Sequence, residues 1–390
     1  MKKHLLVVLF AAVGLVAVNS NLWANGTPAP EAAAGGLEIS GNVTVVSGWQ
    51  HDDKDATGGA LGGMGDVTFV TAANADHFRF IVDQVEIDLQ KSFGENIRLR
   101  ADIDFVDFAD SNTRVADPVD LEQAYVTANL AAGNGIEFLI GKFNAPVGVE
   151  SADRADNWFI SYQFPYRHLT PTQTICAKLY YAFSDLVDLH FAVVNDLNAN
   201  GFGDSAIPSS LFRFGFNWGE EGSESTIGIS GGIGPESDGA VAGGVSQNAH
   251  WDFFGDLDAL LAVSDTWTVA LEGAYRQSNS VTAGANQKAI AGWIGTKWQI
   301  NDAWDLNMRA GWMWEINPAG ARGGSGASTT GGVWNASHEG TTYSGQLGAG
   351  YNIADGAKMK LEYRFDFAAV AGPAFNSDYQ SLMAEFDYSF

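Results

Sequence analysis

Charged side chains recur at every second position in several stretches of this 390-residue chain. Arg98, Arg100, Asp102 and Asp104 alternate with Ile97, Leu99, Ala101, Ile103 and Phe105, and Glu86 and Asp88 alternate with Val85, Ile87 and Leu89. Near the end, Lys358, Lys360, Glu362, Arg364 and Asp366 alternate with Met359, Leu361, Tyr363, Phe365 and Phe367. Rows of this kind orient water and set a field for a passing ion. They do not supply a nucleophile with its base. No Gly-x-Ser-x-Gly elbow is present, and the best pairing of the seven His, His168 with Ser161, reads as loop packing, so no catalytic residue is expected. A single Cys excludes a disulfide framework and a Cys-ligated zinc site. No acidic spacing matches an ion-site motif, so neither a metal nor a cofactor is expected.

The spacing identifies the elements that must carry these groups. A helix would spread Ile97, Arg98 and Asp102 around its circumference, whereas a strand places every charge on one face. Arg276 and Arg309 fall on the same parity, and on this face acids outnumber bases. Exposing Arg or Lys to lipid costs about 2–4 kcal/mol at the bilayer midplane, so the charged face is expected to line water and the apolar face to meet lipid. The mean hydropathy of −0.05 is compatible with that arrangement. A net charge of −25 excludes a basic nucleic-acid footprint.

Short polar turns, such as Phe93–Asn96, Val263–Trp267 and Ile300–Trp304, alternate with long connections at 51–77, 110–118, 144–173, 196–209, 235–249, 279–287, 317–340 and 372–376. The eight prolines from Pro118 onward are assigned to these long connections, away from strand ladders. Seven short turns and eight long connections predict sixteen strands: an all-β, transmembrane antiparallel barrel with short periplasmic turns and long extracellular loops. A barrel of that size leaves an aqueous channel. Connection 144–173 is the longest of these and carries Asp153, Arg154, Asp156 and Arg167. These four are expected to face Arg98, Arg100 and Arg364 across a pore constriction.

Lys2 and Lys3 precede an apolar run, Leu5–Val18, that is too short to span a bilayer as a helix. Residues 1–24 read as a signal peptide, 25–36 as a short linker and 37–390 as the barrel. Trp218, Trp267, Trp298 and Trp304 adjoin short turns, and Trp49, Trp251, Trp312 and Trp314 sit toward the opposite ends, the pattern of two interfacial girdles. The chain ends on an alternating strand with Phe386, Tyr388 and Phe390 on one face. That ending resembles the assembly signal of bacterial outer-membrane proteins, which implies the outer-membrane bilayer and the barrel-assembly machinery as partners.

Gly141-Lys142-Phe143-x-x-Pro146-x-Gly148-x-Glu150, continued by Asn157, Ser161, Phe164-Pro165, Thr172 and Val193-Val194-Asn195, resembles the strand-to-loop signature of the β-barrel porin 2 (OmpL-like) family, distantly similar to phosphate-selective porins. Cys176 and Asn195-Asp196-Leu197-Asn198 depart from its usual pattern. The resemblance implies a passive or weakly selective channel of the cell outer membrane for small hydrophilic solutes or ions, and a homotrimer. The acidic balance points to weak cation preference. The alternative is a structural or adhesive barrel whose lumen is plugged by its own loops.

Overall fold

Each period-two stretch becomes a strand in the computed structural model of the chain, which describes residues 36–53, 75–105, 119–197, 207–220, 223–236, 250–279, 286–316, 340–370 and 376–390. The expected leader, nearly all of the linker and much of the other long connections lie outside the described residues. The strands are β1 (Leu37–Asp53), β2 (Ala75–Phe93), β3 (Ile97–Phe105), β4 (Val119–Leu130), β5 (Ile136–Asn144), β6 (Gln173–Ala182), β7 (Val187–Val194) and β8 (Ser209–Trp218). The second half adds β9 (Ser225–Glu236), β10 (His250–Ser264), β11 (Trp267–Asn279), β12 (Asn286–Gln299), β13 (Trp304–Ile316), β14 (Gly340–Ala354), β15 (Ala357–Val370) and β16 (Asn376–Ser389). Every strand is antiparallel to its neighbours, and β1 pairs with β16 to close the barrel.

Closure leaves no edge with unpaired backbone groups, as lipid requires. Gly41 and Phe390 complete the seam by exchanging backbone hydrogen bonds of 3.2 and 3.0 Å. The outer surface is apolar and aromatic. Leu361, Tyr363, Phe365, Leu382, Phe386, Tyr388 and Phe390 are all exposed, as are Trp218, Trp251, Trp267, Trp298, Trp304, Trp312 and Trp314. The alternate residues Lys360, Glu362, Arg364, Asp366, Glu385 and Asp387 are buried inside. This distribution is that of a β-sheet with lipid on one side and a polar interior on the other.

Of four register shifts among the described strands, two lie beside hairpin turns, at Val263 and Ile353, and two break the parity of the wall itself. The β1–β2 register shifts between Thr44 and Val45, leaving Asp83 as the extra residue of β2. The β3–β4 register shifts between Asp102 and Ile103, leaving Glu122 as the extra residue of β4. A bulge inserts one residue against one strand and re-aims the side chains beside it. Glu122 and Gln123 are consequently both buried although adjacent in sequence. Pro235 corrects the assignment of all prolines to connections. It is the penultimate residue of β9, opposite Trp251, where a missing N–H removes a single ladder bond near the strand end.

The segment between β5 and β6 lies inside the barrel and packs on its inner wall. It contains one 3-10 turn, Arg154–Asp156, and one π-helical turn, Pro165–Leu169. Phe164 and Leu169 pack with Ala274, Ala289, Ala291 and Met313 of β11–β13. Ile160 packs with Val46 of β1 and Met383 of β16. The start of the segment, Ala145 and Val147, shares a third cluster with Leu139, Phe143, Cys176, Ala192 and Leu211. The small inward residues of β11 and β12 make the recess that accepts the π-helical turn.

Candidate functional site

The loop leaves β5 and crosses to the far wall. Its crossing depends on Gly148, whose φ of +81° is a conformation side chains disfavour and whose Cβ position lies 2.6 Å from Glu272 Oε1. A bare backbone there lets the Val149 N–H donate to Glu272 Oε2 at 3.1 Å. Glu150 accepts the Gln163 N–H at 2.8 Å and ion-pairs with Arg309 on β13. The glycine and the glutamate of the sequence signature thus dock the loop.

At the 3-10 turn the Arg154 guanidinium pairs with bulge residue Asp83 at 2.9 Å and lies 4.6 Å from the centroid of the Tyr162 ring. The Arg154 carbonyl accepts from Lys360 Nζ at 2.7 Å, and that ammonium also pairs with Glu385 at 2.8 Å and Asp387 at 3.2 Å. Glu362 then clasps the middle of the loop. Its Oε2 accepts the Ile160 and Ser161 N–H groups at 2.6 and 3.0 Å, and its Oε1 accepts the Ser161 hydroxyl. Arg364 donates to Tyr162 O at 2.8 Å and Ser161 Oγ at 2.9 Å while its Nε holds Asp366 at 2.8 Å. Arg276 donates to Leu169 O at 3.3 Å and pairs with Asp252 at 3.0 Å.

These contacts change the arrangement expected from the sequence. Arg364 does not face the loop across an opening. It holds the loop, because its strand position lies directly beneath Ser161 and Tyr162. Arg309 likewise donates to the loop at Glu150 and Ser161 O and to the Gln346 amide oxygen, and Arg276 donates to Leu169 O and to Asp252. Arg100 pairs with Asp102 at 2.8 Å and Asp88 at 3.6 Å. Arg98 lies on the same inward face of β3, half-buried near the turn end. Asp156 is exposed to the lumen, and Lys360 and Arg100 are its nearest cationic influences. Asp104 is half-buried and accepts from Gln84 Nε2 at 3.2 Å.

Electrostatics divide the loop into two sides. Burial, then the neighbouring Glu122, holds the Asp153 carboxyl well above the usual carboxylate range. Burial, then Arg364, brings Arg167 down to about 10. Burial, then Arg167, brings His168 down to about 3, so its imidazole is neutral at ordinary pH. Asp153 thus feels Glu122 of β4, and Arg167 feels Arg364 of β15.

Sequence reading missed Asp83 and Glu122 as interior acids, because parity counting cannot see a bulge. It also missed Gln163 and Gln346, neutral residues that join the loop to the wall through Gln163 Nε2 to Ser344 Oγ at 2.9 Å and Arg309 Nε to Gln346 Oε1 at 2.7 Å. Trp293 is a further surprise: it points inward, donates to Glu272 at 3.1 Å and supports the Arg309 guanidinium, 5.3 Å from the centroid of its ring.

A closed antiparallel barrel of sixteen strands, apolar outside and charged within, with a long loop docked on its inner wall, defines an outer-membrane channel fold of the porin type. The sequence belongs to the family described as beta-barrel porin-2, OmpL-like, whose model matches residues 36–390. Among solved structures, the outer membrane channel DcaP of Acinetobacter baumannii superposes with a TM-score of 0.60 at 13% identity, covering 92% of this chain and 98% of that one. An anion-selective porin from Comamonas acidovorans gives 0.61 at 10% identity, covering 91% and 99%. OmpT of Vibrio cholerae in its trimer form gives 0.56 at 11% identity, covering 92% and 100%. At these identities the likeness establishes the fold. No curated protein matches the chain.

Proposed function

We propose that the protein is a porin whose channel is narrowed by loop 144–173 and passes small hydrophilic solutes or ions with weak preference for cations. The observation that carries this reading is the imbalance of pairing on the inner wall. Arg100, Arg213, Arg276, Arg309 and Arg364 are each bound to a carboxylate. Glu86, Asp104, Glu122 and Asp153 have no basic ion-pair partner among the described residues. A cation entering such a lumen meets unpaired carboxyl oxygens, which its own charge draws toward the ionised form, and an anion finds no unneutralised ladder of arginines. The loop's two faces add a transverse field, acidic toward β2–β4 and basic toward β15, that favours small polar solutes. In this reading Asp153, Arg154, Asp156 and Arg167 bound the constriction, with Arg98, Arg100, Asp102 and Asp104 on the facing wall.

The plugged structural barrel is kept as a second reading because so much of the loop is buried against the far wall. Recording from refolded protein in a planar bilayer under a salt gradient separates the two. Stepwise conductance with reversal on the cation side supports the proposal. Reversal on the anion side overturns the selectivity, and silence from protein shown to be inserted and folded overturns the porin. Two partner proposals accompany this function. The outward row Phe386, Tyr388 and Phe390 is engaged by the barrel-assembly machinery, and three copies associate, as in the trimer form of OmpT. Deleting Phe390 tests the first through outer-membrane yield, and cross-linking of the native membrane tests the second.

A further inference from the structure

The β2–β4 wall gathers more acid than it neutralises. Glu86 and Asp104 are direct register partners on β2 and β3, and the bulge on β4 swings Glu122 in beside them. One carboxylate oxygen from each of the three lies within 4.8 Å of the others. The ligands' free valences are oxygen lone pairs. Glu86 Oε2 accepts from Asn42 Nδ2 at 2.6 Å, but its Oε1 is buried with no donor. Glu122 accepts from Asn144 Nδ2 at 2.7 Å and Asp104 from Gln84. The Asn42 carbonyl oxygen is buried and unused.

The second observation comes from the loop. Asp153 is only 7% exposed, its side chain makes no capping bond, and its Oδ1 is buried without a partner. The next residue ties it to the same cluster: the Arg154 N–H donates to Gln84 Oε1 at 3.3 Å, and Gln84 Nε2 donates to Glu86 at 3.3 Å and to Asp104 at 3.2 Å, with Glu122 the strongest charge acting on Asp153. Arg100, the cation acting on it, is committed to Asp102 and Asp88. A neighbouring triad, Glu86, Asp88 and Asp102, is the one that Arg100 neutralises.

We infer that Glu86, Asp104, Glu122 and Asp153 form a binding site for a hard divalent cation that ties the loop to the β2–β4 wall. Carboxylates and amide carbonyls without sulfur or imidazole are the donor set of Ca²⁺ or Mg²⁺. Three of the ligands are fixed on strands, and the fourth arrives with the loop. Occupancy would thus pin the foot of the loop opposite the Glu362 clasp. Half-exposed Asp104 gives the ion a path from the lumen.

The test is equilibrium dialysis against radioactive calcium. It uses protein refolded into detergent free of lipopolysaccharide, itself a calcium binder, with the barrel verified by heat-modifiable electrophoretic mobility. The expected result is saturable binding of about one calcium per chain. Glu122→Gln and Asp153→Asn each raise Kd about tenfold or more, while Glu315→Gln, a buried acid elsewhere on the wall, leaves it unchanged. Asp153 lies outside the ladder, so its variant remains informative where Glu122→Gln fails to fold. No saturable binding by the folded wild type, or equal binding by wild type and Asp153→Asn, overturns the site. Because dialysis does not read conductance, a null result alongside normal channels removes the cation site and leaves the porin reading standing.

Discussion

Truncating Glu362 to Ala should release the middle of the docked loop. The carboxylate accepts three hydrogen bonds there, from the Ile160 N–H, the Ser161 N–H and the Ser161 hydroxyl. Hydrogen bonds to a charged group contribute about 1.5–3 kcal/mol each, and an unmet buried N–H costs about 1–3 kcal/mol. Water entering the space left by the side chain satisfies part of this demand, so a net loss of about 4 kcal/mol in docking is a reasonable middle value. At about 1.4 kcal/mol per decade, the ratio of docked to released loop falls by about three orders of magnitude. The remaining anchors, Glu150–Arg309 and the Phe164–Leu169 cluster, hold the ends, so release is local. Single-channel recording should show larger or noisier open events, with the barrel still resisting denaturation by detergent at room temperature. Glu362→Gln keeps one acceptor oxygen and should fall between. A Glu362→Ala channel with wild-type conductance and noise, from an intact barrel, would refute the claim that this clasp governs the loop.

Gly148→Val should disturb loop docking more than Val147→Ala, because only the former meets the Glu272 carboxylate and a positive φ; proteolysis of the loop in micelles is the readout. The loop should also loosen in acid. His168 is held neutral down to about 3 when docked, against 6.5 when free, so the released loop binds the extra proton, and docking weakens as pH falls from about 6.5 toward 3 with no contribution above that window. Asp153, raised by burial and Glu122, acts with the opposite sign, so His168→Gln should remove the loosening limb of a channel-noise profile, and an unchanged limb would exclude the histidine as its source. Cys176 is buried in the Leu139–Phe143–Ala192 cluster, and a maleimide should label it only after heat unfolding; rapid labelling of the native barrel would contradict that packing.

The barrel was legible because lipid and water impose a strict alternation that any strand crossing must obey. Ile97–Phe105 and Met359–Phe367 display that alternation over their full length, and the short turns fell where the strands end. The interior was legible only where parity held. Asp83 and Glu122 were invisible because each occupies a bulge, and a bulge is decided by pairing across strands, not by the sequence of one. The docking of the loop was foreshadowed by Gly148 and Glu150. Its partners Glu272, Arg309 and Glu362 lie far along the chain, and nothing local connects them. The expected role of Arg364 shifted from facing the loop to holding it for the same reason.

Closure of the barrel between β1 and β16 also sets the order of events during folding. Every other ladder joins strands that follow one another in the chain, whereas the seam brings Thr44 to Asp387, 343 positions away. The entropy of closing so long a loop is recovered only when the intervening hairpins have already drawn the ends together. The seam must therefore zip late, and until it does, β1 and β16 present two complementary open edges to any other chain nearby. The interval before closure is the one period in which this protein can pair with the wrong partner, and a catalyst that shields those edges would shorten it.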